Sequence, residues 1–285
     1  MLAVCLPLRT IMDSNLPVSQ ITDDPFAAIR IPEFRNLMLG RFTFITALRM
    51  MSTLVAWWVY ELTGDPLAIG IVGLSEVIPA LSMALYAGHI IDKTEKKKMV
   101  LTGVSCYFII AAILLLFSSS FISNNFNNHT ITIGIYVVIF FTGIIRAFTG
   151  LVAYTVPRQY LQNATTWTQG TWLSASVNGH ATGGLLIWLL GISGTLIIVC
   201  SLLILAVILL TRIKRKYPDA ATKETKTWES MKEGLRFVYK TKEILAAFSL
   251  DMFAVFFGGA VAMVPVFAKD ILKILLLSFI YFYSK

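Results

Sequence analysis

Gly88-His-Ile-Ile-Asp-Lys-Thr-Glu-Lys-Lys-Lys98 lies between two long apolar runs, Leu67–Ala87 and Met99–Phe121. Four lysines in so short a stretch cannot enter hydrocarbon, while each flanking run is long enough to cross it. The stretch therefore reads as a loop between two membrane spans. Short loops rich in Lys and Arg stay on the cytoplasmic side, so this one orients every other span.

Outward from that loop, the apolar runs and their breakers predict seven spans. Span 1 covers Leu37–Tyr60, with Trp57, Trp58 and Tyr60 as an aromatic anchor at the outer interface. Gly64 and Pro66 break the chain into a turn before span 2, Leu67–Ile91. Span 3 is Met99–Phe121, followed by a polar external loop, Ser118–Thr130, whose Asn128-His129-Thr130 forms a chance glycosylation sequon. Span 4 is Ile131–Val156, span 5 Gly170–Leu190 and span 6 Thr195–Leu210, with a tight external turn at Gly191–Gly194. Arg212, Lys214, Arg215 and Lys216 stop span 6 on the cytoplasmic side. Span 7 is Ile244–Ala268. The expected organisation is a cytoplasmic amino-terminal segment (1–36), a six-helix bundle (37–212), a cytoplasmic loop (213–243), helix 7 (244–268) and a tail (269–285). Within the loop, Trp228, Met231, Leu235 and Val238 share one helical face and suit the inner interface. Met12 is a second candidate start.

Composition agrees. Of 285 residues 56% are hydrophobic and 14% charged, which suits a chain made mainly of membrane spans. A net charge of +8 invites a nucleic-acid reading, but the Lys and Arg alternate with apolar spans and build no basic face with interleaved aromatics. Nucleic acid is therefore not expected as a partner. The three cysteines and three histidines have no disulfide or metal-ligand spacing. Neither an enzyme motif nor a cofactor motif is present. The expectation is a non-enzymatic membrane protein with no metal and no cofactor.

Five spans carry ionisable groups where they are costly. At ~1.5 Å per residue, Arg49, Glu76, Arg146 and His180 fall near the bilayer midplane, with Asp251 nearer the cytoplasm. A charge at that depth on a lipid face costs ~3 kcal/mol. These side chains must then face each other or water. They lie on spans 1, 2, 4, 5 and 7, while spans 3 and 6 have none. That is the pattern of two three-helix repeats, with the third helix of each toward lipid. Arg49 then corresponds to Arg146, and Glu76 to His180. The structural alternatives are an Arg49–Glu76 ion pair within the bundle and a hydrogen-bonded interior His180.

Three motifs give the chain a resemblance to the major facilitator superfamily. Gly88-x-x-x-Asp92-Lys93-x-x-Lys96-Lys97 resembles that superfamily's loop between helices two and three, with Glu95 where the family has glycine. Arg146-Ala-Phe-Thr-Gly150 is similar to its helix-four arginine motif, which the resemblance implicates in proton coupling. Ala175-x-x-x-Gly179-His180-x-x-Gly183-Gly184 resembles the helix-five antiporter motif, with Ala175 for a glycine and His180 for the proline. Small residues there let helices approach closely. Tyr60–Pro66 and Leu250–Ala260 look similar to the branch containing the enterobactin exporter, and the likeness runs over 34–272.

The resemblance implies an all-α membrane protein with a major-facilitator-type six-helix amino-terminal bundle of two inverted repeats, plus a seventh transmembrane helix. It implies a multi-pass protein of the inner cell membrane, amino terminus inside, exporting small amphipathic molecules of siderophore or drug class against protons. Glu76 and Asp251 are the candidate proton carriers, tuned by Arg49 and Arg146. Gly88, Asp92, Lys93, Lys96 and Lys97 would form the cytoplasmic gating loop, and Gly179, Gly183 and Gly184 a helix-packing motif. Family members continue to twelve spans, so a chain ending after seven is expected to be truncated. It would then pair with a second copy or a separate carboxy-terminal half, or persist as a non-transporting remnant of a disrupted gene. A seven-helix receptor would need an external amino terminus, against the basic loops.

Overall fold

The computed structural model describes residues 32–119, 125–150, 161–212, 236 and 239–257. Among these the secondary structure is helical: α1 Pro32–Thr63, α2 Pro66–Lys93, α3 Lys96–Phe117, α4 Asn128–Gly150, α5 Leu161–Thr211 and α6 Lys242–Phe257. Five of the helices are long and apolar enough to cross a membrane. The fifth does so twice. At Gly191 the backbone takes φ 69° and ψ −172°, which breaks α5 into two arms, 161–190 and 192–211. The reversal expected over Gly191–Gly194 is thus made at one left-handed residue, a conformation glycine adopts at no steric cost.

The turn between α1 and α2 is written in its residues. Gly64, at φ 65°, returns its N–H to the Tyr60 carbonyl at 2.9 Å, a left-handed helix end. Asp65 Oδ1 then accepts from the Leu67 N–H at 2.9 Å, and Pro66 opens α2 where its missing N–H costs nothing.

Two expected loops are shorter than the sequence suggested. The basic stretch is helical up to Lys93 and again from Lys96. Thr94 (φ −102°, ψ 148°) and Glu95 (φ −60°, ψ 114°) make the break in extended conformations that need no glycine. Lysine, glutamate and isoleucine are compatible with a helix, so the helices run on past the end of the apolar run. At the other end α3 stops at Phe117, where the Ser118 hydroxyl closes on the Leu115 carbonyl at 2.9 Å. The sequon residues Asn128–Thr130 form the first turn of α4 rather than loop, with Thr130 N–H on the Asn127 carbonyl at 2.9 Å.

Helix pairing follows a swap. α1 packs along the first arm of α5, α2 along α4, and α3 against the second arm. Helix one of the first unit meets helix two of the second, helix two meets helix one, and helix three meets helix three. Two three-helix units related by a two-fold axis produce this pattern. An odd number of crossings inverts the second unit relative to the first.

Directions agree. Thr171 and Leu210 both lie beside the start of α1, at Met38 and Gly40, so the two arms are antiparallel. Lys97 Nζ donates to the Thr211 carbonyl at 2.8 Å at one end, and Ser193 donates to Ser118 at the other. The core runs down the middle of α1 (Ala47, Met50, Leu54, Val59) and meets Leu114, Ile135, Leu196, Val199 and Leu203, all fully or nearly fully buried. α3 and the second arm each bury one face there and expose the other, as Leu116 and Ile197 show. The rest of spans 4 and 7, the amino-terminal segment up to residue 31, the interfacial face expected around Trp228 and the tail lie outside the described residues; residues 32–36, expected in that segment, already belong to α1.

Candidate functional site

Two glycines decide how closely the paired helices approach. A Cβ on Gly179 would sit 2.6 Å from Arg49 Cβ and 2.7 Å from the Thr46 carbonyl oxygen. Only a residue without a side chain lets the first arm of α5 lie that near to α1. Gly183, one turn on, faces Met50 Cα, and Gly184 beside it is buried. Gly143 does the same for α4 and α2: its Cβ would collide with the Glu76 carbonyl and lie 2.6 Å from Pro79 Cγ. Pro79 lacks an N–H, so the turn of α2 around Glu76 already departs from regular helix bonding. Gly143 was not anticipated from sequence. The signal was there in its spacing, since Gly143 and Arg146 are three residues apart and share a face of α4.

Each close approach sets a polar contact beside it. Arg146, one turn beyond Gly143, donates from Nη1 to Glu76 Oε1 at 2.5 Å. The carboxylate thus takes Arg146 as its ion-pair partner, where the sequence alternative gave it Arg49. Next to Gly179, His180 Nδ1 shares a 2.7 Å hydrogen bond with the Thr53 hydroxyl of α1. The Arg49 guanidinium lies 5.5 Å from the centre of the Trp172 ring, a cation–π contact between α1 and α5.

The Glu76–Arg146 pair and the Arg49–Trp172 contact border a cavity of about 300 Å³ within the bundle. Arg49, Glu76 and Arg146 line it, together with Arg41, Tyr107 and Trp172. Tyr107 belongs to α3, whose expected role was to face lipid; one of its faces closes the cavity instead. The Tyr107 hydroxyl points at the Thr142 carbonyl at 3.5 Å, and its ring meets Phe44 edge-on at 5.6 Å. The pair is not sealed. The Glu76 side chain is 30% exposed and that of Arg146 56%, so the cavity opens beside Arg146.

The other candidates lie elsewhere. His180 is behind Arg49 in the interface of α1 and α5, and is not among the lining residues. Asp251 sits on an exposed stretch of α6 with Leu250, Met252 and Phe253, apart from the lining. Of the basic stretch, Lys97 ties α3 to the end of α5. Gly88, Asp92, Lys93 and Lys96 have helical backbone, and their side chains lie outside the described residues. Among the described residues no three His, Cys, Asp or Glu side chains gather as a metal site.

Residues 23–278 match the major facilitator family described as transmembrane secretion effector. The chain belongs to that family. No curated protein matches it. Membership agrees with the all-helical bundle and its inverted repeats, and makes the chain a multi-pass membrane protein of transporter type. The bilayer is accordingly its surroundings.

Proposed function

We propose that the chain is a secondary active exporter, driving efflux of small amphipathic molecules of siderophore or drug class by proton entry. The observation that carries this reading is the Glu76–Arg146 pair, which joins the two inverted repeats at the edge of a cavity and is open on one side. A proton on Glu76 removes the charge that holds Arg146. Substrate loads from the cytoplasmic side while the pair is intact, leaves outward when a proton from outside breaks the pair, and the pair re-forms as the proton leaves inward. The likeness of Tyr60–Pro66 and Leu250–Ala260 to the enterobactin-exporter branch supports export over import. The basic stretch Lys93–Lys98 supports an inner-membrane placement with the amino terminus in the cytoplasm.

A second reading is favoured by the exposure of Arg146. A guanidinium near the midplane needs a surface opposite it, from residues beyond those described, from a second copy or from a separate carboxy-terminal half. Without such a surface the chain inserts and does not transport.

One experiment separates the two. The purified chain is reconstituted in vesicles with a pH-sensitive dye inside, and a panel of siderophores and dyes is offered under a proton gradient. Substrate-dependent proton flux that is lost in Glu76→Gln is expected. Flux equal in Glu76→Gln removes the carboxylate from the mechanism. Absence of flux with every compound leaves the remnant reading.

A further inference from the structure

Tyr107 is a buried phenol on the cavity wall, beside the Glu76–Arg146 pair. Gly103, one turn before it on the same face of α3, explains how it comes there. A Cβ on Gly103 would collide with the Thr149 methyl, so α3 lies directly against α4. Thr142, Arg146 and Thr149 follow at helical spacing along one face of α4. The Tyr107 hydroxyl reaches the Thr142 carbonyl at 3.5 Å and stands beside the Thr149 side chain, within reach of the charges of both Glu76 and Arg146. An O–H···O bond is ordinarily about 2.7–2.8 Å long, so this phenol is only weakly committed to α4. Thr142 and Thr149 are more firmly tied, to the Ile139 and Ile145 carbonyls of their own helix at 2.6 and 3.1 Å. Tyr107 and Glu76 belong to the first repeat, Thr142 and Arg146 to the second. Phenol and carboxylate thus reach across to the same face of α4, one turn apart.

We propose that Tyr107 is a positioning residue for proton exchange at Glu76. When a proton releases Arg146, the Tyr107 hydroxyl leaves the Thr142 carbonyl and donates to the carbonyl oxygen of the neutral Glu76 carboxyl. When the proton departs, Arg146 returns to Glu76 and the phenol to Thr142. Tyr107 keeps its own proton throughout. The reason lies in what each form of Glu76 needs. A carboxylate only accepts, whereas the acid has one O–H to give and a carbonyl oxygen that still needs a donor. In a membrane bundle an unmet acceptor is costly. A cation in that place would favour return to the carboxylate, and a neutral hydroxyl does not. The other charged groups on the cavity lining, Arg41 and Arg49 of α1, are cations. The exchange replaces two contacts between the repeats with one inside the first repeat, and so frees α4 as the proton arrives. The inference rests on the reading of Glu76 as the proton site and adds the residue that holds its protonated form.

Acid-minus-neutral infrared difference spectra of the full chain in phosphatidylcholine nanodiscs test this without a substrate. The carboxyl C=O band that disappears in Glu76→Gln belongs to Glu76. In Tyr107→Phe that band should move to higher frequency, because its oxygen has lost a donor. Tyr136→Phe should leave it in place, since the Tyr136 hydroxyl bonds the Ala68 carbonyl at 3.1 Å, off the cavity lining. A second measurement needs no change at Tyr107 and stands even where Tyr107→Phe fails to fold. In a chain carrying tyrosine isotope-labelled at the ring carbon that bears the hydroxyl, a tyrosine C–O band should shift on acidification, and the shift should vanish in Glu76→Gln. An unmoved Glu76 band in Tyr107→Phe overturns the proposal and leaves Tyr107 a packing residue. A tyrosine band indifferent to Glu76→Gln also overturns it, as does the absence of any Glu76 band. The vesicle assay separates this inference from the transport reading. Both infrared shifts in a chain that moves no protons keep the Tyr107 assignment and remove transport. Export that depends on Glu76, with an unmoved band, does the reverse.

Discussion

Gly179→Ala should loosen the bundle at the point where α1 meets α5. The added Cβ would stand 2.6 Å from Arg49 Cβ and 2.7 Å from the Thr46 carbonyl oxygen. Two carbons rest at about 3.5–4.0 Å, so the helices must part by about 1 Å at this turn. Backbone atoms cannot swing aside as a flexible side chain would. Overpacking of this kind costs about 1–3 kcal/mol. The same movement stretches the neighbouring Thr53–His180 contact from 2.7 Å to beyond hydrogen-bond range.

Two companion substitutions make the cause visible. A Cβ on Gly183 would lie 3.1 Å from Met50 Cα, so Gly183→Ala should cost less. A Cβ on Gly170 meets nothing within 4 Å, and Gly170→Ala should hold or raise stability through helix propensity alone. Thermal unfolding in detergent, followed by thiol labelling of the half-buried Cys106 and Cys200, reads the series. The expected order is Gly170→Ala at or above wild type, then Gly183→Ala, then Gly179→Ala lower by roughly 2–10 °C. A Gly179→Ala protein as stable as Gly170→Ala would refute the close approach of α1 and α5.

Thr53→Val removes the hydroxyl that meets His180 and keeps the shape, so it should destabilise by about 0.6 kcal/mol, the usual value of an interhelical hydrogen bond in a membrane. A loss as large as that of Gly179→Ala would mean the hydroxyl has a further structural role. Asp251→Asn should lower proton-driven efflux while leaving substrate affinity unchanged, because Asp251 lies off the cavity lining. Parallel losses of binding and efflux would put the carboxylate in the binding site. On topology, a thiol placed at Asn125 should be labelled from outside intact cells and one at Lys223 protected; the opposite pattern would invert the orientation drawn from the lysine bias.

Much of the fold is legible because membrane spans declare themselves by composition. Gly64-Asp65-Pro66 reads as a turn in the sequence and is one in the structure, since each residue has a local reason to be there. Gly88–Lys98 misleads for a physical reason: hydropathy marks where a chain leaves hydrocarbon, and a helix continues in water as long as its residues tolerate it. The midplane charges are legible singly, because a costly residue in an apolar run stands out. Their partners are not. Arg49 and Glu76 lie on consecutive spans and suggest a pair, yet α2 packs along α4, which brings Arg146 to Glu76. Gly143 hides for the opposite reason. One glycine in an apolar helix carries no charge, and its meaning depends on the Glu76 carbonyl across the interface.

The swap of helix pairs gives the charges their mechanical meaning. Glu76 belongs to the first repeat and Arg146 to the second, so any sliding of one repeat against the other must pull the pair apart. Each charge left facing lipid costs ~3 kcal/mol. That penalty, together with the glycine contacts at Gly143 and Gly179, holds the six spans as one body while the pair is intact. Neutralising Glu76 removes one of the two charges and releases Arg146, whose side chain is already 56% exposed. In an antiport cycle that release lets the repeats move and the substrate leave as the proton arrives. On the proposed reading, proton and substrate are therefore coupled through one guanidinium rather than through a chain of carriers. Arg146→Lys keeps the charge but loses the planar fork. It should preserve folding yet uncouple proton flux from substrate, visible as proton leak without export in the vesicle assay. Full coupling in Arg146→Lys would show that charge alone suffices and that the geometry of the pair is not part of the mechanism.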